Sequence, residues 1–284
     1  MSTQYHCHFI ILHAIFIVNN TMRLITFGCS FTDYSWPTWA DIMARDLEWE
    51  YENWATGGGG NQQIARRVMY RDQLLGWQPE DVVMIQWSSV TREDRFMDDR
   101  WISQGSVSTA PFYGEQWIER YWSWNNDIIN TAQARISTEA ILKHRLRYQM
   151  AMTWGDGDHL KDLCDNDELT KFWRSRLTPC DEIPSHAKPF NGKTRDGHPD
   201  PAYWLRWVET KIYPQFGYTV KQRTRDQVAE IQEYLEDLVA KRTPQQELQH
   251  LATIRANKLG WPMFRKVKPG SDTLTPGRGS NILM

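Results

Sequence analysis

Short apolar runs that end in small or polar residues organise the first third of the chain. Arg23 to Phe27 predicts a first strand, and it runs directly into Gly28-Cys29-Ser30. Trp49 to Asn53 predicts a short second strand, followed by Trp54-Ala55-Thr56 and the glycines at 57–60. Val82 to Trp87 is almost continuously apolar, the pattern of a parallel strand buried on both faces, and Ser88, Ser89, Thr91, Arg92, Glu93 and Asp94 follow it. Between these runs, Trp39, Ile42, Met43 and Leu47 recur at helical spacing behind Pro37, and a second helix is predicted from about Gln62 to Leu75. Strands alternating with helices predict an α/β domain, a three-layer α/β/α sandwich around a parallel, flavodoxin-like sheet. In such a sheet the loops beyond the carboxyl ends of the strands form the ligand crevice. Three of these loops are polar or glycine-rich and arrive at one edge.

Further along, Phe96 to Trp124 is aromatic and lacks a clean period, which predicts an insertion over the crevice acting as a lid or substrate wall. Ile128 to Arg147 predicts a helix, and Tyr148 to Trp154 a fourth buried strand closed by Gly155-Asp156-Gly157-Asp158-His159. Asp158 and His159 read as part of a solvated turn, since no further ligand spacing accompanies them. Residues 160–195 predict another helix and a long loop. Ala202 to Ile212 is helical, with Trp204, Leu205, Trp207, Val208 and Ile212 on its apolar face. Beyond Gly217, Arg225 to Ala240 and Pro244 to Leu259 are amphipathic. The boundaries are therefore an N-terminal extension at 1–21, an α/β domain at 22–217, a helical appendage at 218–265 and a flexible tail at 266–284. The first strand follows Met22 directly, which makes Met22 a second candidate start.

Composition narrows the classes. With 284 residues, 40% hydrophobic and 24% charged, the chain has the make-up of a soluble globular protein with a full core. A net charge of −2 argues against a nucleic-acid partner, because phosphate binding needs a basic surface. Cys7, Cys29, Cys164 and Cys180 show neither C-x-x-C nor zinc spacing, so no disulfide framework or metal is expected, and a reducing, cytoplasmic site of synthesis fits. The apolar run Phe9 to Val18 is too short to span a bilayer and lacks the charged start of a secretory signal. No membrane association is expected. The 15 Trp residues point to core and rim packing ahead of a dedicated sugar platform.

Candidate chemistry centres on Ser30, a small nucleophile on a turn leaving a strand. Asp196-Gly197-His198-Pro199, just before a helix, offers a histidine base with an acid two residues upstream, and His186 is a reserve base. The order of these blocks resembles the SGNH/GDSL hydrolase family over about residues 22–215, especially the shorter versions in bacteriophage genomes that open with a Phe-Gly-Cys-Ser-Phe-type block. The resemblance implies Ser30 as nucleophile, His198 as base, Asp196 as triad acid, and backbone N–H groups of Ser30 and Gly58, five residues after Asn53, as oxyanion donors. Three departures accompany it. Cys29 stands where the family usually has Asp. A single residue, Gly197, separates Asp196 from His198 where two are usual. Ser88-Ser89-Val90-Thr91 lacks the Asn that usually supplies an oxyanion donor, leaving Ser88, Ser89 or Asn61 as substitutes.

The reading that follows is a serine esterase or acetylesterase without cofactor, acting on an acylated small molecule or carbohydrate. Transfer of the acyl group to a sugar would use the same residues. The alternative is a weakly active or inactive SGNH-like structural or binding protein, such as a virion component, with residues 218–284 contacting a protein partner or a second copy.

Overall fold

The computed structural model describes residues 22–97, 100–107, 113–153, 181–183 and 197–261, and a few single positions between 168 and 175. The N-terminal extension, the 155–159 turn, Cys180, His186, Asp196 and the C-terminal tail lie outside the described residues. Strand β1 (Arg23–Phe27) leads to helix α1 (Trp39–Leu47), β2 (Glu50–Asn53), α2 (Asn61–Leu75) and β3 (Val82–Trp87). A hairpin of β4 (Arg92–Met97) and β5 (Arg100–Ser106) follows, then α3 (Glu115–Tyr121), α4 (Trp124–Leu142), β6 (Arg147–Thr153) and β7 (Asp181–Ile183). The chain closes with α5 (Pro201–Trp207), a π-helical turn (Val208–Ile212), α6 (Tyr213–Phe216), α7 (Gln222–Ala240) and α8 (Gln245–Lys258).

The main sheet has the order β2-β1-β3-β6-β7 with every pairing parallel, which is the flavodoxin-like arrangement. Alternation along the strands divides the interior in two. Leu24, Val82 and Met84 join a core with α1, α5, α7 and α8. Ile25, Phe27, Val83, Ile85 and Trp87 face α2 and α4 on the other side. The result is a three-layer α/β/α sandwich. Burial of β3 on both faces accounts for its unbroken apolar run.

One expectation changes here. The chain from Arg92, ahead of the expected start of the insertion at Phe96, forms an antiparallel β-ribbon, β4 paired with β5, and the short helix α3 follows. The ribbon's strand character was hidden because Arg92-Glu93-Asp94-Arg95 is uniformly charged and gives no apolar alternation. The C-terminal helices share the core of β1 and α1: Val228, Ile231, Leu235, Leu248 and Ala252 are buried with Leu24, Trp36 and Ile42. Between α5 and α6, the Tyr213 N–H reaches the Val208 carbonyl five residues back, just ahead of Pro214, which has no N–H to offer.

Helix α1 begins at a polar cluster whose ionisation couples to stability. The buried Asp41 carboxyl accepts from the Thr38 N–H at 2.9 Å and from the Tyr51 hydroxyl at 3.3 Å, and its Oδ2 lies 2.9 Å from the Thr38 hydroxyl oxygen. Burial pushes the Asp41 carboxyl up to about 7. Burial likewise raises Asp127, to about 6, and Asp94. The unfolded chain ionises these groups near pH 4, whereas the folded chain keeps its protons to higher pH. The folded state thus binds more protons between about pH 4 and 7, and stability falls as pH rises through that window. Urea midpoints measured at pH 4.5 and 7.0 are expected to decrease for the wild type, and to decrease less for Asp41→Asn.

Candidate active site

Ser30 occupies the apex of a tight turn at the carboxyl end of β1. The Cys29 carbonyl accepts from the Thr32 N–H at 2.9 Å and from the Asp33 N–H at 3.2 Å, folding Ser30 and Phe31 outward from the strand. Gly28 is required by packing: a Cβ there would collide with the Thr32 side chain. Below the turn, Gln86 of the central strand β3 is fully buried, and its Oε1 accepts from the Thr32 hydroxyl at 2.6 Å and from the Trp39 indole at 2.8 Å. A polar residue inside an apolar strand is costly unless paired. Here it ties the turn to the sheet and to α1. The Thr32 carbonyl accepts from the Thr38 hydroxyl at 2.9 Å and from the Asn53 amide at 3.0 Å. In contrast, the Ser30 hydroxyl has no hydrogen-bond partner among the described residues.

The second loop is drawn against this turn. Beyond the paired strands, the Trp54 N–H donates to the Thr26 carbonyl and the Thr56 N–H to the Gly28 carbonyl. The Asn53 Oδ1 accepts from the Ala55 N–H at 3.0 Å, so one side chain shapes its own loop and grips the Ser30 turn. Gly58 takes φ +75°, a conformation suited to glycine, and lies beneath β5, where a Cβ would stand 3.3 Å from the Ser103 carbonyl. Neither the Ser30 N–H nor the Gly58 N–H donates to another group among the described residues.

His198 arrives from the other end of the chain. Its ring stacks on Tyr34 with centroids 3.8 Å apart and meets the edge of Phe31 at 5.3 Å, so the imidazole lies against residues on both the turn and its exit. The loop is fixed by the Trp36 indole, which donates to the Pro199 carbonyl at 2.9 Å. Asp200 then caps α5, accepting from the Tyr203 N–H at 2.7 Å, with Pro201 in the first turn. Helix α8 supports the same wall: Gln249 donates to the Tyr34 hydroxyl at 2.5 Å, and the Thr253 hydroxyl to the Ser35 carbonyl at 2.8 Å. Tyr34, Trp36 and Gln249 are site-shaping residues absent from the sequence reading. The aromatic cluster 31–36 was its only signal.

The third loop distributes its groups differently from the expectation. Asn61 donates to the Ser88 carbonyl at 3.1 Å and to the Thr131 hydroxyl at 3.0 Å, while its Oδ1 accepts from the Ser88 N–H at 2.7 Å. Its amide is spent on holding the end of β3. The Ser88 side chain is fully buried, with no partner among the described residues for its hydroxyl. Ser89 contacts the Thr91 hydroxyl at 3.0 Å, and Thr91 that of Ser106 at 3.0 Å, bracing the base of the hairpin. The His198 ring and the Asn53–Thr56 segment thus lie against the turn that carries Ser30, and Asn61 and Ser88 are turned inward.

The glycine-rich loop gives α2 no side-chain cap of its own, and Asp94 from β4 supplies one. Its carboxylate accepts from the Gly60 N–H at 3.0 Å and the Gln63 N–H at 3.1 Å, favourable for a negative charge at a helix N-terminus. Asp94→Ala is expected to lower stability by about 1–2 kcal/mol in urea unfolding, with the loss concentrated as faster amide exchange in the first turn of α2.

Among the described residues, no group of three or more His, Cys, Asp or Glu side chains is arranged to hold a metal ion, and no helix is long and apolar enough to cross a membrane. No family model and no curated protein matches the chain. Among solved structures it is similar to a member of the lipolytic G-D-S-L family from Veillonella parvula DSM 2008, at 12% identity, with a TM-score of 0.35, over 67% of this chain and 98% of that one. It is also similar to an acetyl xylan esterase, Est2A, from the rumen bacterium Butyrivibrio proteoclasticus, at 12% identity, with a TM-score of 0.39, over 69% of this chain and 64% of that one.

Proposed function

We propose that the protein is a serine esterase in which Ser30 is the nucleophile and His198 the general base. The observations that support this reading are the contact of the His198 ring with Phe31, the residue after Ser30, and with Tyr34, together with a Ser30 hydroxyl that has no hydrogen-bond partner among the described residues. His198 takes the Ser30 proton as Oγ attacks an ester carbonyl. The tetrahedral intermediate expels the alcohol, which receives that proton, and leaves an acyl-enzyme. Water, deprotonated in turn by His198, attacks the acyl carbon and releases the acid with regeneration of Ser30. The unengaged Ser30 and Gly58 N–H groups are the proposed oxyanion donors. A bacteriophage origin belongs to the same proposal through the Phe27-Gly28-Cys29-Ser30-Phe31 block, and an acylated carbohydrate substrate through the Trp- and Tyr-rich stretch 96–124, with Asp196 as the acid behind His198.

A non-catalytic binding protein is the second reading, favoured by the inward placement of Asn61 and Ser88, which leaves the site without a side-chain oxyanion donor from the third loop. Turnover of p-nitrophenyl acetate, together with fluorophosphonate labelling of Ser30, separates the two. Labelling and hydrolysis that both require Ser30 support the esterase; neither activity in folded protein overturns it.

A further inference from the structure

A second site lies beside the candidate active site and shares none of its catalytic residues. A polar cavity of about 410 Å³ opens between α2, α4 and the β4–β5 hairpin. That volume is within the usual range for small-molecule pockets. Arg66, Arg92 and Arg95 line it with Glu93, Asp94 and Asp127. The acids are already engaged by neighbouring donors. Asp94 caps α2 and accepts from the Ser103 hydroxyl at 2.9 Å, Glu93 accepts from the Tyr113 hydroxyl at 2.5 Å and pairs with Arg95, and Asp127 accepts from the Trp122 indole at 2.7 Å.

Arg66 is different. Its guanidinium lies 3.9 Å over the Trp101 ring, and its Nη1 is buried with no hydrogen-bond partner among the described residues. Stacking covers a face of the guanidinium and leaves its edge, the part that binds a planar oxyanion through two parallel hydrogen bonds. A buried donor without a partner is costly. Half-buried Asn130 and exposed Gln133 also line the cavity, and their side-chain amides have no partner among the described residues. Amides of this kind match hydroxyl groups. Glu93 from β4 and Asp127 from α4, which also line the cavity, would repel a dianion, which favours a carboxylate over a phosphate.

We propose that this cavity binds a sugar acid, with Arg66 taking the carboxylate and Asn130 and Gln133 the hydroxyls. The inference stands on the cavity alone and is independent of ester hydrolysis. Its test is calorimetric titration of the full chain with D-glucuronate, D-glucose and D-glucose 6-phosphate, with Trp emission recorded in parallel because Trp101 backs Arg66. Saturable D-glucuronate binding is expected, at least tenfold tighter than that of either comparison sugar and weakened at least tenfold by Arg66→Gln. Arg66→Lys, which keeps the charge and loses the planar fork, is expected to weaken it as well, and is the variant to read if Arg66→Gln does not fold. Absence of saturable D-glucuronate binding overturns the proposal. So does equal binding of D-glucose, tighter binding of the phosphate, or unchanged affinity in a folded Arg66 variant.

Discussion

Ser30→Ala is expected to lower p-nitrophenyl acetate turnover by roughly four to six orders of magnitude while leaving the unfolding midpoint nearly unchanged. The second half of that result is the more discriminating. Around Ser30 almost every polar group has a structural duty: Thr32 to Gln86, Asn53 to the Thr32 carbonyl, Thr38 to the same carbonyl. Among the described residues the Ser30 hydroxyl has none, so its removal should cost no hydrogen bond. His198→Ala is expected to cause a comparable loss of turnover. It should also cost about 1 kcal/mol of stability through the lost ring contacts with Tyr34 and Phe31. Because a nucleophile and its base act as a unit, the double variant should be no slower than the slower single variant. Turnover indifferent to both substitutions would remove the esterase reading and leave the binding protein.

What the sequence revealed, and what it hid, follows from how local each signal is. Strand β3 was readable because burial on both faces demands a continuous apolar run, and α1 because its buried stripe has helical spacing. Helix α2 was readable from its periodicity, but its cap was not, since Asp94 comes from a different strand. The three-residue strand β7 is too short to carry a pattern. Asn61 shows the limit most clearly. An amide next to a glycine-rich loop has the right chemistry for an oxyanion donor, and only the three-dimensional pairing with Ser88 and Thr131 shows its groups to be occupied. The contact of the His198 ring with Phe31 joins positions far apart in the chain. The Tyr34 ring beneath it, and the support of Tyr34 by α8, required the fold.

That support makes the C-terminal helices part of the site's foundation, and Asp46 joins them to α1. Asp46, at the end of α1, is buried, and its carboxylate accepts from the Tyr213 hydroxyl at 2.9 Å, the Lys221 N–H at 2.8 Å and the Thr224 hydroxyl at 2.7 Å. One carboxylate thus fixes α6, the N-cap of α7 and its first turn. Asp46→Ala strands three donors, two of them on fully or nearly fully buried side chains, Thr224 and Tyr213. Hydrogen bonds to a charged acceptor contribute more than neutral ones, and each buried donor left unpaired adds its own desolvation cost. A loss of about 3–5 kcal/mol is expected in urea unfolding. Asp46→Asn, which keeps one acceptor oxygen, should lose about half as much. Amide exchange distinguishes local from global damage: protection should fall first in α7 and α8, then at Tyr34 and Ser35, where Gln249 and Thr253 hold the wall beneath His198. A variant of unchanged stability would mean that the apolar contacts of Val228, Ile231 and Leu235 alone hold these helices in place. Turnover lost in step with protection at Tyr34 would instead tie the C-terminal helices to the chemistry at Ser30.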